Sequence, residues 1–186
     1  MTANLLQERE DVRAQDAPQA LDWSRAQVSS LAEDVARFLD YKPGDALEPI
    51  VGKLGGTIEF AESDANEMNY GSIVAEGSSF TISLPLDSSP MRDRFTLAHE
   101  LGHLVLHYLY PRNTLRREVP RMRANRFGSD QAEWEANWFA AAFLMPGEAF
   151  RSTYEELDGD IPAIANKFKV SHSAASVRAK SLKLPV

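Results

Sequence analysis

Three of the four histidines in the chain lie within nine residues, at positions 99, 103 and 107. The first two belong to the segment His99-Glu100-Leu101-Gly102-His103, an H-E-x-x-H arrangement. Residues i and i+4 of an α-helix are about 40° apart around its axis, so both imidazoles would face one point. Two imidazoles so placed can hold Zn²⁺ at roughly 2.0–2.1 Å each. The spacing predicts a zinc site with His99 and His103 as ligands.

The glutamate inside this motif predicts hydrolysis. Glu100 would lie about 100° around the helix from His99. A carboxylate in that position reaches water at the metal without occupying a ligand position. It would act as a general base and then as a proton shuttle in peptide hydrolysis. We therefore predict Glu100 as the catalytic residue, with Zn²⁺ as the cofactor.

A catalytic zinc ion usually has three protein ligands, so one more is needed. The metzincin pattern would require glycine at position 106 and histidine at position 109, where the chain has Leu106 and Leu109. An acidic ligand on a second helix is the next arrangement to consider, and Glu133 opens a helical segment. We predict Glu133 as the third ligand. The alternative is a solvated acid that the dipole of that helix stabilises.

Neighbouring polar residues could support these ligands. Asn137 shares a helix face with Glu133 and is predicted to orient a ligand through a hydrogen bond. Glu135 points about 200° away from Glu133, which makes it the less favourable ligand. His107 extends the histidine stripe by one turn, too far along the helix for a third ligand. It would support a ligand, contact substrate, or lie partly buried near the helix end before Pro111.

Three motifs occur together: HELGHLVLH at 99–107 after Arg-Phe-Thr-Leu-Ala, E-x-E-A-N-x-F-A-A from Glu133, and Leu-Met-Pro at 144–146. Together they resemble the ImmA/IrrE family of metallopeptidases, tightly over about residues 84–146 and loosely from about residue 25 to the end of the chain. The resemblance implies that His99, His103 and Glu133 hold the metal and that Glu100 is catalytic.

The same resemblance implies a protein substrate. Several relatives relieve repression by cleaving a repressor-type transcription factor, so we expect a zinc-dependent endopeptidase that cuts a repressor-type or antitoxin-like partner. Such cleavage would regulate a stress, phage or mobile-element response. The alternative is a regulatory metal-binding protein that binds a repressor, an antitoxin or DNA without efficient proteolysis. Zinc binding alone does not require Glu100, so its presence favours the enzyme.

Apolar periodicity predicts the elements that position these residues. Residues 92–110 form an apolar helix that Pro111 would end, and residues 133–144 form the helix of Glu133. Residues 57–60, 72–75 and 80–84 read as strands of a small antiparallel meander. The expected fold class is α+β, with a zincin-like domain.

The strand before the histidine helix has its own predicted role. If it is an edge strand, it can bind an extended substrate by β-augmentation through Phe80, Ile82 and Leu84. A plain sheet strand is the alternative. Candidates for stabilising the oxyanion are three tyrosines, Tyr70, Tyr108 and Tyr110.

Domain boundaries follow from the same patterns. We expect a flexible leader at 1–20, the zincin-like domain at 21–158, and a helix-turn-helix-like segment at 159–186 packed on the core. That last segment is basic, but it lacks the third helix of DNA-binding domains, so DNA contact is less favoured than packing. The arginine-rich stretch from Arg112 to Arg126 is read as a solvated connector, a clamp for an acidic partner, or a nucleic-acid contact.

The amino-acid composition excludes several classes of function. The 186 residues are 44% hydrophobic and 25% charged, with a net charge of -7 and no cysteine. Disulfides, thiolate catalysis and cysteine-ligated metals are thereby excluded.

The first 17 residues lack the apolar core of a signal peptide, and the most apolar stretch is interrupted by the histidine motif. We expect a cytoplasmic protein without a membrane span.

Overall fold

The computed structural model describes residues 16–61, 72–124 and 130–186. The predicted leader up to residue 15, Tyr70 and Arg126 lie outside the described residues. In chain order the elements are α1 (Arg25–Phe38), α2 (Glu48–Lys53), β1 (Gly56–Ala61), β2 (Ser72–Glu76), β3 (Ser79–Pro85), α3 (Pro90–His103), a π-helical segment (Leu104–Leu109), α4 (Tyr110–Asn113), β4 (Arg121–Ala124), α5 (Asp130–Leu144), α6 (Gly147–Glu156), α7 (Ile161–Phe168) and α8 (His172–Ser181). The α+β class is confirmed.

The four strands form one sheet in the order β1-β3-β2-β4. β2 is antiparallel to β3 and β4, whereas β1 is parallel to β3. The predicted antiparallel meander is therefore wrong for β1, because β4 occupies the outer edge of β2 and β1 adds to the remaining edge of β3. β4 lies in the arginine-rich stretch, for which the sequence predicts a connector, a clamp or a nucleic-acid contact but no strand. Its alternation of exposed arginines with buried Met122 and Ala124 spans only four residues.

The predicted substrate strand is an interior strand. β3 is paired along both edges, to β1 and to β2. Phe80, Ile82 and Leu84 are buried in the core. The prediction that these three residues bind substrate by β-augmentation is wrong, because β3 lies between β1 and β2 and its apolar side chains already pack inside the protein.

The histidine helix begins at Pro90, two residues before the predicted start at Arg92. The Ser89 side chain accepts a hydrogen bond from the backbone N–H of Arg92, and Pro90 occupies the first turn, where its missing N–H costs nothing. After His103 the helix widens into the π-helical segment and continues to Asn113. Pro111 does not end it, since the proline falls in the first turn of α4.

Helix α5 approaches α3 closely through small residues. A Cβ atom added at Gly102 would lie 3.1 Å from both the Cα and the carbonyl oxygen of Ala136, and 3.2 Å from the Cβ of Phe139. Ala136, Phe139 and Ala140 are completely buried. Because backbone atoms form this contact, Gly102 sets the distance between the helix that carries His99 and the helix that carries Glu133.

We expect Gly102→Val to lower the free energy of unfolding by about 1–3 kcal/mol, because the new side chain forces α3 and α5 apart. Gly52→Val is the matched control, since a Cβ at Gly52 has no neighbour within 4 Å. It should change stability by less than about 0.5 kcal/mol. Urea unfolding of both variants measures the difference, and equal stability would contradict the packing role of Gly102.

The two C-terminal helices pack on the core through Ile164, Phe168, Ala175 and Ala179. Ser171 caps α8 by accepting a hydrogen bond from the N–H of Ala174. None of the helices in the described parts of the chain is long and apolar enough to cross a membrane.

Candidate metal centre

The two histidines of the motif face one point, as the helical spacing predicts. Their Nε2 atoms are 3.1 Å apart. Two ligands at 2.0–2.1 Å from a tetrahedral ion would be about 3.4 Å apart. The His99 side chain is 14% exposed and that of His103 is 1% exposed, so the opening to solvent lies on the His99 side.

Glu133 of α5 meets these two histidines. Its Oε2 lies 3.3 Å from Nε2 of His99, and its Oε1 lies 3.2 Å from Nε2 of His103. Ligand atoms of the three residues all lie within 4.8 Å of one another. Two imidazoles and one carboxylate form the donor set of many catalytic zinc sites. The three residues can therefore hold a metal ion.

Electrostatics also favour a cation here. Burial lowers the pKa of His103 to about 4, so its imidazole is neutral near pH 7. Burial opposes ionisation of Glu133, but hydrogen bonds with His103 and His99 outweigh it and lower the pKa. Burial likewise opposes protonation of His99, yet the hydrogen bond to Glu133 and the charges of Glu100 and Glu133 raise its pKa. A neutral imidazole and a carboxylate are the forms that bind metals.

Asn137 lies where the sequence predicts a supporting group. Its Oδ1 is 3.1 Å from Nδ1 of His99. When Nδ1 of His99 donates its hydrogen to this oxygen, the lone pair of Nε2 points toward Glu133 and the candidate metal position. Asn137 thus fits the predicted orienting role.

His107 lies behind His103 in the protein interior. Its Nδ1 is 3.1 Å from Nδ1 of His103, and its Nε2 is 3.0 Å from Oε2 of Glu135. The helix does not end here, so the alternative of a histidine at a helix terminus is wrong. If His103 binds a metal through Nε2, its Nδ1–H donates to His107, whose Nε2–H donates to Glu135. In this arrangement each hydrogen bond from His103 to Glu135 has its donor on the side of the metal position.

Glu135 is the residue that sequence reasoning left without a role. It is completely buried, and it accepts hydrogen bonds from the backbone N–H groups of Leu21 at 2.9 Å and Trp23 at 2.8 Å. Burial raises its pKa, but the hydrogen bonds from His107, Leu21 and Trp23 outweigh burial, and the pKa is lowered. Glu135 therefore connects the segment before α1 to the chain of histidines.

We expect Glu135→Gln to weaken zinc binding by about 10- to 100-fold, the range typical of partners that orient a ligand. The amide would present a donor to one of the three groups that now donate to Glu135. Glu155→Gln on the exposed face of α6 is the matched control. Competition with a chromophoric chelator measures zinc affinity, and equal dissociation constants for the two variants would contradict this role.

Glu100 is buried on α3 beside His99. It is close enough for its charge to contribute to the raised pKa of His99. Glu100 is therefore adjacent to the three clustered residues without being one of them, which is the arrangement that its predicted role requires.

The remaining tyrosine candidates are engaged elsewhere. The Tyr108 hydroxyl is within hydrogen-bond distance of the carbonyls of Gly77 and Pro120, and Tyr110 packs edge-on against Trp23 at 4.8 Å between ring centroids. The hydrogen bonds of Tyr108 direct its hydroxyl to these two carbonyls rather than to the metal centre.

Comparison with known proteins places these features in a family. Residues 59–180, more than half of the chain, match the family model described as the IrrE N-terminal-like domain, a peptidase family. A solved Mycobacterium tuberculosis transcriptional regulator has a similar fold, with a TM-score of 0.61 and 18% identity over 86% of this chain and 48% of that chain. The present chain spans about half the length of that regulator. A comparison with curated proteins finds no match. The chain belongs to the peptidase family of the IrrE N-terminal-like domain.

Proposed function

We propose that the protein is a zinc-dependent endopeptidase. The observation that carries the proposal is the cluster of His99, His103 and Glu133, with the buried carboxylate of Glu100 beside it. Two imidazoles and a carboxylate favour zinc among the common divalent ions. The peptidase family supports the reaction class.

In this proposal each residue of the site has a distinct role. His99, His103 and Glu133 hold the metal, while Asn137 and the pair of His107 and Glu135 keep the two imidazoles oriented. A bound Zn²⁺ ion supplies Lewis acidity, which activates water and polarises a peptide carbonyl. Glu100 accepts the proton of the water that adds to the carbonyl carbon. It then returns that proton to the nitrogen that leaves when the peptide bond breaks.

The proposed substrate is a repressor-type transcription factor or an antitoxin-like partner, whose cleavage would switch a stress, phage or mobile-element response. Two findings support this proposal. The family is that of the IrrE N-terminal-like domain, and a protein of similar fold is named a transcriptional regulator. At 18% identity over half of that regulator, the likeness supports a regulatory setting rather than any one target.

The second candidate function is regulation by binding, with little or no proteolysis. The regulator of similar fold is the observation that favours it. DNA binding through the C-terminal helices has less support, because Arg178 is buried and bonded to Glu33, and Lys167 is paired with Glu156. Two of the five basic residues of that segment are thus paired with acidic side chains of this chain.

The test uses the protein encoded by the neighbouring gene when that protein is a repressor or an antitoxin. The zinc-loaded chain should cut it into two discrete fragments, which mass spectrometry would map to one bond. Stable association without fragments, seen by gel filtration, would favour the binding function. Salt-sensitive gel shifts with DNA, in the absence of cleavage, would instead favour a DNA-binding regulator.

A further inference from the structure

An apolar groove lies beside the metal centre, between α5 and the C-terminal helix α8. It encloses a cavity of about 540 Å³, a size typical of pockets that bind small ligands or short peptide segments. Trp134 and Val177, on opposite sides, are each 58% exposed. The other apolar residues of its lining are Phe95, Trp138, Ala141 and Ala174. We call this cavity the tryptophan groove.

The tryptophan groove adjoins the candidate metal centre. Asn137 lines the groove and also lies 3.1 Å from Nδ1 of His99. On α3, Phe95 precedes His99 by one helical turn. On α5, Trp134 directly follows Glu133. One turn of helix is about 5.4 Å, and successive residues of an extended chain advance about 3.3–3.6 Å. A peptide cut at the metal would therefore bring a side chain one or two residues from the cut bond into the groove.

The charge of the groove is opposite to that of the whole protein. Its described lining contains two arginines and no acidic residue, although the chain has a net charge of -7. Arg178 donates to the carbonyl of Met145 at 2.8 Å and to Glu33 at 3.0 Å, so it serves the fold. Arg25 is exposed, with its guanidinium 5.4 Å from the centre of the Trp138 ring. The guanidinium of Arg25 is therefore available to form an ion pair with an acidic group of a ligand in the groove.

We propose that the tryptophan groove selects the substrate of this peptidase. It binds a bulky apolar side chain that lies one or two residues from the cut bond, and Arg25 binds an acidic residue next to that side chain. Exposed aromatic rings that surround a cavity bind apolar side chains because contact removes both surfaces from water. This inference rests on the proposed function and names the sequence that the site would prefer.

Binding is tested apart from cleavage by loading Glu100→Gln protein with zinc. The probes are fluorescent decapeptides in which a central pair is Phe-Glu, Leu-Glu, Phe-Lys or Ala-Glu. Fluorescence anisotropy should show the first two binding about tenfold more tightly than the others. Trp134→Ala should remove the preference for Phe and Leu, and Arg25→Glu should reverse the preference between Glu and Lys. Phe38→Ala is the control, since Phe38 is 87% exposed outside the groove.

Cleavage of the protein substrate gives the second readout. Trp134→Ala should raise KM by roughly 10- to 30-fold, the effect of truncating an aromatic side chain that bound substrate would cover, and should leave kcat within about threefold. Absence of peptide binding, or equal binding by wild-type and Trp134→Ala proteins, would overturn the proposal. So would a dimer that Trp134→Ala dissociates in sedimentation velocity, because a second copy would then cover the groove.

The outcomes separate this inference from the proposed function. If peptides bind with the stated preference but no substrate is cut, the binding preference of the groove holds and the peptidase proposal fails. If substrate is cut with an unchanged KM by Trp134→Ala protein, the peptidase proposal holds and the groove proposal fails.

Discussion

Glu100→Gln is expected to reduce kcat for peptide hydrolysis by about 10²–10⁴-fold while leaving zinc bound. The amide has the size of the carboxylate but cannot accept a proton from water near neutral pH. The cluster of His99, His103 and Glu133 does not include Glu100. Replacing the carboxylate of Glu100 should therefore slow proton transfer without removing a metal ligand.

The measurement combines single-turnover cleavage of the protein substrate with zinc analysis of each variant. Glu155→Gln, a conservative change on the exposed face of α6, should cleave at the wild-type rate. Glu100→Gln protein that cuts at more than a tenth of that rate would contradict the role of Glu100. A variant that fails to cut but still relieves repression in cells would show that the biological effect is binding.

Much of the metal centre could be predicted from the sequence because helix geometry relates nearby residues. The i, i+4 spacing is sufficient to bring His99 and His103 together once their segment is helical. The position of Glu133 depends in addition on a second helix that packs closely on the first. The structure brings its carboxylate within 3.3 Å of both imidazoles, and Gly102 against Ala136 shows how the two helices come so close.

The errors concern features that depend on distant parts of the chain. The order of strands in a sheet depends on which strand edges pair, and those strands can be far apart in sequence. The four-residue β4 is too short and too rich in arginine to be predicted as a strand from its own sequence. In the described sheet β1 and β4 are the outer strands, so β3 is interior. Local alternation identifies a strand and its buried face, but it carries no information about the neighbours of that strand.

Glu135 illustrates the same limit within the site. Its partners are His107 and the backbone N–H groups of Leu21 and Trp23, and the latter two are more than 100 residues away in sequence. The angular argument correctly separated Glu135 from Glu133, but no local pattern shows that a buried histidine and two backbone donors converge on it. A carboxylate on an apolar helix was the available signal, because a buried charge requires partners.

His103→Ala is expected to weaken zinc binding by more than about 100-fold, which exceeds the 10- to 100-fold loss typical of outer partners. The change removes one of the three proposed ligand groups and also interrupts the hydrogen bonds that connect the centre to His107 and Glu135. Cleavage should be lost with the metal. His172→Ala is the matched control, since His172 is the fourth histidine and lies exposed at the start of α8.

Zinc-dependent stability distinguishes loss of a ligand from damage to the core, because His103 is buried and its removal leaves a void. A metal at 100 times its dissociation constant stabilises the folded state by about 2.7 kcal/mol. Wild-type and His172→Ala proteins should therefore unfold at higher temperature when zinc is added, whereas His103→Ala protein should not respond. His99→Ala should behave in the same way if both imidazoles hold one ion. A full zinc-dependent shift in His103→Ala protein would mean that the metal binds elsewhere, and the proposed centre would then be wrong.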